Sequence, residues 1–118
     1  LPAVKQEAKA PVSSPQPVRV ANQCASKAVD ADFIKIRRRM AGETNDDNMI
    51  FEAKKYFKTK CFSTAQVKGL SGLFISDAGK YNFFDTVFRY VHDIENFPSL
   101  QAELKDEYYI KRFKVMLD

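Results

Sequence analysis

All fifteen aromatic side chains of the chain lie between Phe33 and Phe113, and residues 1–23 contain none. That first segment instead holds four of the five prolines, which break helices and favour an extended, solvated backbone. Without large apolar side chains, a segment cannot bury enough surface to offset the entropy lost on ordering. We therefore predict a disordered linker over residues 1–23 and one folded domain over residues 24–118, an ordinary size for a domain.

The chain begins at Leu1 rather than at Met, so we expect a longer precursor whose targeting segment precedes this numbering. No apolar run in it approaches the roughly 18 residues that a transmembrane helix needs. The linker is interpreted as a tether to an upstream domain or a lipid anchor. A Pro-rich peptide ligand is the alternative interpretation.

The net charge of +4 is divided evenly between the two parts of the chain. Residues 1–23 contain three basic side chains and one acidic side chain, which leaves a charge of +2 for the folded part. Such a small surplus does not by itself indicate a nucleic-acid-binding domain. We expect nucleic acid to be an unlikely partner.

Apolar residues recur at helical spacing in every long segment after Ala31, and no stretch alternates as a half-buried strand would. The predicted first helix ends at Gly42, and Ser63 with Gln66 forms a capping box. The other predicted helix starts are Thr44, Ser76 or Asp77, Pro98, and Asp106. The expected buried stripes are Phe33, Ile36, Met40; Ile50, Ala53, Phe57; Val67, Leu70, Phe74; Tyr81, Phe84, Phe88, Val91; Tyr109 or Ile110, Phe113, Leu117.

The fold class that these patterns predict is all-α, a compact bundle of five to six short helices. A weak echo at an offset of 33 residues places Ile34 opposite Val67 and Phe57 opposite Tyr90. One interpretation is a stack of helical hairpins of about 33 residues each. Chance coincidence between amphipathic helices is the other.

The two cysteines, Cys24 and Cys61, have no Cys-x-x-Cys partners, and His92 is the only histidine. Since the chain cannot supply four soft ligands, we predict no zinc site and no other cofactor. Pairing of Cys24 with Cys61 is favoured because it would pin the polar lead-in to the first helical hairpin. The bridge would stabilise the fold by about 4 kcal/mol. Two reduced thiols remain the alternative.

Enzyme chemistry requires a nucleophile with a base, a metal, or paired carboxylates in one pocket. His92 has no evident partner, because the adjacent Asp93 cannot share its helix face. The acidic pairs Asp46-Asp47 and Asp106-Glu107 lie at predicted helix starts, where carboxylates stabilise the helix dipole. We therefore predict no catalytic residue, and the sequence names no activity.

A basic first hairpin and several rim tyrosines are the candidates for contact with a partner. Arg37, Arg38 and Arg39 are consecutive, but successive residues fan around a helix and cannot all point one way. Neighbouring aromatics cannot all enter one core, and Tyr at a surface is favoured in interfaces. The predicted interaction residues are Arg37, Arg38, Lys54, Lys55, Lys58, Tyr56, Tyr90 and Tyr108. A solvated basic face and ordinary half-buried tyrosines are the simpler interpretation.

One further pattern runs from Cys24 to Phe113, and its most specific part is Cys61 followed at fixed spacing by Gln66-Val67. The other residues of the pattern are Asp32-Phe33, Ala53-Lys54, Thr64, Phe74, Asp77, Lys80-Tyr81, Phe83-Phe84, Asp93 and Asn96-Phe97. It resembles a small all-helical domain of unknown function at the C-terminal end of exported bacterial proteins and lipoproteins. The resemblance implies a Cys24–Cys61 bridge and an extracytoplasmic location, in the periplasm or at the cell surface, but no activity.

Together these observations predict a non-catalytic helical protein-interaction module, monomeric and held on a flexible tether. Its expected partner is a protein or another component of the cell envelope. The alternative is a domain that binds anions or nucleic acid through the basic first hairpin. A third possibility is an enzyme that draws its reactive groups from an upstream domain.

Overall fold

The computed structural model describes Cys24 and residues 26–118, so the linker predicted over residues 1–23 lies outside the described residues. Two 3₁₀ segments, Phe88–Tyr90 and Ile94–Glu103, separate the fourth α-helix from the last. The five α-helices are α1 Asp30–Ala41, α2 Asp46–Phe57, α3 Thr64–Ser71, α4 Asp77–Val87 and α5 Glu107–Leu117. The predicted all-α class is confirmed, and in the part of the chain described here β-pairing is limited to two isolated bridges.

A continuous set of phenylalanine rings forms the core and places α4 at its centre. Phe57 of α2 stacks on Phe62 with ring centroids 4.2 Å apart, and meets Phe83 of α4 edge to face at 6.1 Å. On the other side of α4, Phe84 meets Phe113 of α5 at 5.7 Å. Aromatic pairs in these geometries each add about 0.5–1.5 kcal/mol beyond the burial of their area. The rings therefore connect α2, α4 and α5 into one unit.

The predicted apolar stripes are buried almost throughout. Phe33, Tyr109, Ile110 and Leu117 are only partly buried and pack against the edge of the core. Phe88 and Val91 are shielded as expected, although they lie beyond the end of α4. Burial thus follows helical spacing even where the helix itself has ended.

Three of the predicted helix starts are found in the structure. The capping box of α3 is complete, because Gln66 N–H donates to Ser63 Oγ at 3.1 Å and Ser63 N–H donates to Gln66 Oε1 at 2.8 Å. Ser76 caps α4 and Asp106 caps α5, each accepting a backbone N–H of the first turn. Local side-chain chemistry therefore sets these three boundaries.

Two predicted helix starts are wrong. The cap of α2 is Asn45 and not Thr44, because the Asn45 side chain accepts the N–H of Asn48 at 2.8 Å. Pro98 does not open a helix, since the second 3₁₀ segment already begins at Ile94 and contains Pro98. Its fixed φ is compatible with 3₁₀ geometry, so the turn that starts four residues earlier passes through it.

The segment Cys61-Phe62 joins three parts of the fold. Cys61 is bonded to Cys24, the pairing that the sequence favoured, with their Cα atoms 5.8 Å apart. Ala28 N–H donates to the Cys61 carbonyl at 2.8 Å, and Phe62 N–H donates to the Tyr90 carbonyl at 3.1 Å. The lead-in before α1 and the chain after α4 are therefore held to the same turn.

The repeat of helical hairpins, suggested by the 33-residue echo in the sequence, stays a prediction. The helix α1 packs against α2, whereas α3 packs against both α4 and the second 3₁₀ segment. The helices of the two supposed hairpins thus pack against different partners.

Over the described residues, every helix is too short or too polar to cross a membrane.

Replacing Gly79 with alanine is expected to lower the free energy of unfolding by about 1 kcal/mol. A Cβ at Gly79 would lie 2.9 Å from Asp46 Cγ and 3.0 Å from Cδ1 of Phe74, a fully buried ring that cannot move aside. The better helix propensity of alanine offsets only part of this crowding. Urea denaturation of the two proteins measures the difference.

The matched control is Gly72→Ala, where the added Cβ meets nothing closer than the Gly69 carbonyl at 3.6 Å. Its backbone, with φ of −64°, already suits alanine. We expect a gain of about 0.5 kcal/mol, because alanine reduces the entropy of the unfolded chain. Equal effects of the two substitutions would contradict the close approach of α2 and α4.

Candidate functional site

A groove with a volume of about 840 Å³ lies between α4 and α5. One wall comes from Tyr81, Asp85, Phe88 and Arg89. The other wall consists of Tyr108, Lys111, Arg112, Val115 and Met116. We call this feature the α4–α5 groove.

The groove exists because α5 turns a single side chain fully into the core. Phe113 is wholly buried, whereas its helical neighbours on the opposite side remain accessible. The groove residues of α5 are spaced i, i+3, i+4, i+7 and i+8 from Tyr108, which is one face of a helix. That face therefore borders solvent, and its base lies beside α4, where the rings of Tyr81 and the neighbouring Tyr109 lie 5.9 Å apart.

Arg112 is held in place by two tyrosines at the centre of the groove. Its guanidinium lies 5.0 Å from the ring centre of Tyr81 and 5.5 Å from that of Tyr108. Arg112 Nη1 also donates to the Tyr108 hydroxyl at 2.9 Å. This hydrogen bond, followed by the interaction with Tyr81, raises the pKa of Arg112. The guanidinium thus stays charged, with most of its N–H groups available to a ligand.

The rim of the groove is basic and its exposed apolar side chains are large. Arg89, Lys111 and Arg112 outnumber the single carboxylate, Asp85. The ion pairs found among the described residues involve other lysines, so none of the three groove cations is neutralised by one. Tyr108 is 56% exposed and Val115 is 70% exposed. The site therefore combines accessible apolar surface with positive charge that no described side chain neutralises in an ion pair.

The predicted interaction residues do not form one site. Arg37 and Arg38 both line a shallow depression of about 640 Å³ at the C-terminal end of α1, beside the exposed Ile34. Tyr108 belongs instead to the α4–α5 groove. The structure therefore separates the arginines of the first hairpin from the one strongly exposed tyrosine.

The remaining predicted residues lie on or near α2. Lys54, Lys55 and Lys58 are exposed, and Lys55 pairs with Glu52 at 3.0 Å while lying 4.9 Å from the ring centre of Phe51. Tyr56 and Tyr90 are half-buried against the core. The two tyrosines present less surface to a partner than Tyr108 does.

Sequence reasoning missed Arg89, Lys111, Arg112 and Val115. A signal was present, because Tyr108, Lys111, Arg112 and Val115 have the spacing of one helix face. The sequence could not show that this face lies beside α4 rather than in open solvent.

Asp93, the neighbour of His92, is engaged by another helix. Asp93 Oδ1 accepts the Thr64 N–H at 2.7 Å and the Thr64 hydroxyl at 3.0 Å, and Oδ2 accepts from Asn96 at 3.1 Å. Burial raises the pKa of Asp93, but the hydrogen bonds from Asn96 and Thr64 outweigh it, and the pKa lies below its usual value. The carboxylate therefore anchors the start of α3.

Replacing Asp93 with asparagine is expected to cost about 1 kcal/mol at neutral pH, after allowance for solvent screening. Because the pKa of Asp93 is lower in the folded state, its carboxylate stabilises the fold at pH values above the unfolded pKa of 3.8. This stabilisation is lost as the pH falls through the pKa of the folded state. The difference between the two proteins should thus be constant above about pH 5 and shrink below pH 3.8. Thermal melts across pH 2–7 measure it, and a pH-independent difference would refute the ionic anchor.

In the described part of the chain, three or more histidine, cysteine, aspartate or glutamate side chains are nowhere grouped to hold a metal ion. The family model described as a domain of unknown function (DUF4476) matches residues 28–117. Neither the curated proteins nor the solved structures contain a significant match to the chain.

Proposed function

We propose that this chain, which belongs to the family of the domain of unknown function DUF4476, is a non-catalytic protein-interaction module. In this proposal the α4–α5 groove is the contact surface, and the module acts outside the cytoplasm on a flexible tether. The partner is a protein or another component of the cell envelope.

The proposal rests on the residue composition of the groove. Tyrosine, methionine and arginine are enriched in protein interfaces, and here Tyr108, Met116 and Arg112 lie on one accessible face. Arg112 is already fixed on its tyrosines, so binding would cost little side-chain entropy. Such preorganisation favours recognition of a partner over a merely solvated surface.

The disulfide supports the proposed location. Bridges such as Cys24–Cys61 form and persist in oxidising compartments and are rare where thiols are kept reduced. The resemblance to domains of exported proteins points in the same direction. The proposal therefore places the module in the periplasm or at the cell surface.

Site-specific photo-cross-linking in the source cell tests the proposal. The full-length protein would have Val115 replaced by benzoylphenylalanine, and a matched variant would have Phe51 replaced in the same way. Both positions are strongly exposed, at 70% and 60%, but Phe51 lies on α2. We expect a discrete adduct from position 115 and none from position 51.

The captured protein would then be purified and its affinity measured with wild type and with Tyr108→Ala. Loss of this tyrosine removes exposed apolar surface and one support of Arg112, so affinity should fall at least tenfold. An unchanged affinity, or equal adducts from both positions, would contradict the groove as contact surface.

The basic first hairpin supports a second candidate, an anion- or nucleic-acid-binding function. Arg37 and Arg38 line the same depression, and exposed lysines lie on the adjoining α2 (Lys54) and directly after it (Lys58). If this function is correct, heparin and DNA should bind with an affinity that falls steeply with salt and is lost in Arg37→Glu/Arg38→Glu. Absence of binding at 20–50 mM salt would remove this candidate.

A further inference from the structure

We infer that the α4–α5 groove accepts an acidic amphipathic segment of a partner protein, about two to three helical turns long. The inference rests on the proposed function and adds the chemistry and size of the partner. It follows from the floor of the groove, the state of Arg112, the charge of the rim and the length of α5.

The floor of the groove is apolar and already shaped by the core. Tyr81 and Phe88 are mostly buried and cannot retreat further, while Met116 is half-buried and adaptable. An apolar anchor from a partner would cover these side chains and the exposed Val115. The floor therefore selects a segment with at least one large aliphatic or aromatic side chain.

Arg112 selects a carboxylate. Contacts with the Tyr81 and Tyr108 rings hold the guanidinium in place. Among the described residues, its one side-chain hydrogen bond goes to the Tyr108 hydroxyl and leaves other N–H groups unoccupied. A planar, fixed guanidinium binds a carboxylate through two parallel hydrogen bonds. The tyrosines thus prepare Arg112 for an acidic side chain rather than for a neutral one.

The rim extends this preference along the groove. Arg89 stands on the α4 side and Lys111 on the α5 side, and Asp85 is the only acid among the lining residues. Cations on both sides of an apolar floor complement a segment with an apolar face and acidic flanks. A basic segment would meet repulsion on both sides.

The dimensions fit a short helix. The 11 residues of α5 extend about 16 Å, which is roughly three turns. A helix laid along such a groove would place anchors at i, i+3 or i+4, and i+7. The occupant is therefore a segment of about 8 to 12 residues rather than a whole domain surface.

Fluorescence anisotropy with the full chain and three labelled 14-residue helical peptides tests the inference. All three peptides carry leucine and phenylalanine at the same i, i+3, i+4 and i+7 positions. The remaining positions are glutamate in the first, glutamine in the second and lysine in the third. We expect the glutamate peptide to bind at least tenfold more tightly than the glutamine peptide, and the lysine peptide not to bind.

Charge reversal locates the effect. Arg89→Glu/Lys111→Glu should weaken the glutamate peptide at least tenfold and allow the lysine peptide to bind. The matched control, Arg38→Glu/Lys54→Glu, changes the net charge equally on exposed positions of the first hairpin. It should change either affinity less than twofold, with circular dichroism melts confirming that both variants fold.

The outcomes separate this inference from the proposed function. Equal binding of glutamate and glutamine peptides would overturn the acidic partner but leave a protein-binding groove. If both double variants weakened binding of the glutamate peptide equally, the attraction would be non-specific and the inference would be overturned. Binding of phosphatidylglycerol vesicles that depends on Arg89 and Lys111, without binding of any peptide, would overturn it in favour of a lipid surface.

Discussion

Replacing Phe113 with alanine is expected to lower the free energy of unfolding by about 3–5 kcal/mol. Phe113 is the only fully buried side chain of α5, and its ring packs 5.7 Å from Phe84 and 5.9 Å from Phe97. Truncation leaves a cavity between three elements that cannot close without moving α5. We expect denaturation by urea to show the loss, and amide exchange to accelerate selectively in α5.

The matched control is Val115→Ala on the same helix, two residues away. Val115 is 70% exposed, so its truncation should change stability by less than about 0.5 kcal/mol. Comparable losses from the two substitutions would mean that α5 is not held by its inward face. The geometry of the groove would then lose its structural basis.

Removing the Cys24–Cys61 bridge is expected to cost about 4 kcal/mol in the double variant Cys24→Ser/Cys61→Ser. The two cysteines are separated by 37 positions, and opening this loop enlarges the unfolded ensemble. The loss is a large fraction of the stability of a domain of this size. Chemical denaturation of both proteins without reductant measures it.

A reductant provides the internal control for the bridge. It should lower the stability of the wild type to nearly that of the double variant, while leaving the double variant unchanged. Identical denaturation midpoints for the oxidised wild type and the double variant would contradict a stabilising bridge. The same comparison by mass would show the oxidised wild type about 2 Da lighter than its reduced form, because a disulfide lacks two hydrogens.

The helices could be predicted because apolar spacing alone decides which side chains can enter one core. Phe57, Leu70 and Phe84 are buried for that reason. The caps at Ser63, Ser76 and Asp106 could also be predicted, because capping depends on side chains within three or four residues of the helix start. The start of α2 was missed because Thr44 and Asn45 are both good caps, and only backbone geometry decides between them.

The groove could not be predicted, because it depends on how two helices distant in sequence meet. The adjacent pair Tyr108-Tyr109 indicates a surface tyrosine, but nothing local predicts that Tyr108 and Tyr81 of α4 both contact Arg112. The three consecutive arginines of α1 drew attention to the first hairpin instead. Charge density in a sequence does not reveal whether apolar surface lies next to it.

The most direct test of the groove as binding surface is an NMR titration of the ¹⁵N-labelled chain with the glutamate peptide. We predict that the largest amide shift changes fall in α4, the 3₁₀ segment that follows it and α5, at Asp85, Arg89, Lys111, Arg112 and Val115. Shift changes concentrated instead at Arg37, Arg38, Lys54 and Lys58 would contradict the account and assign binding to the first hairpin.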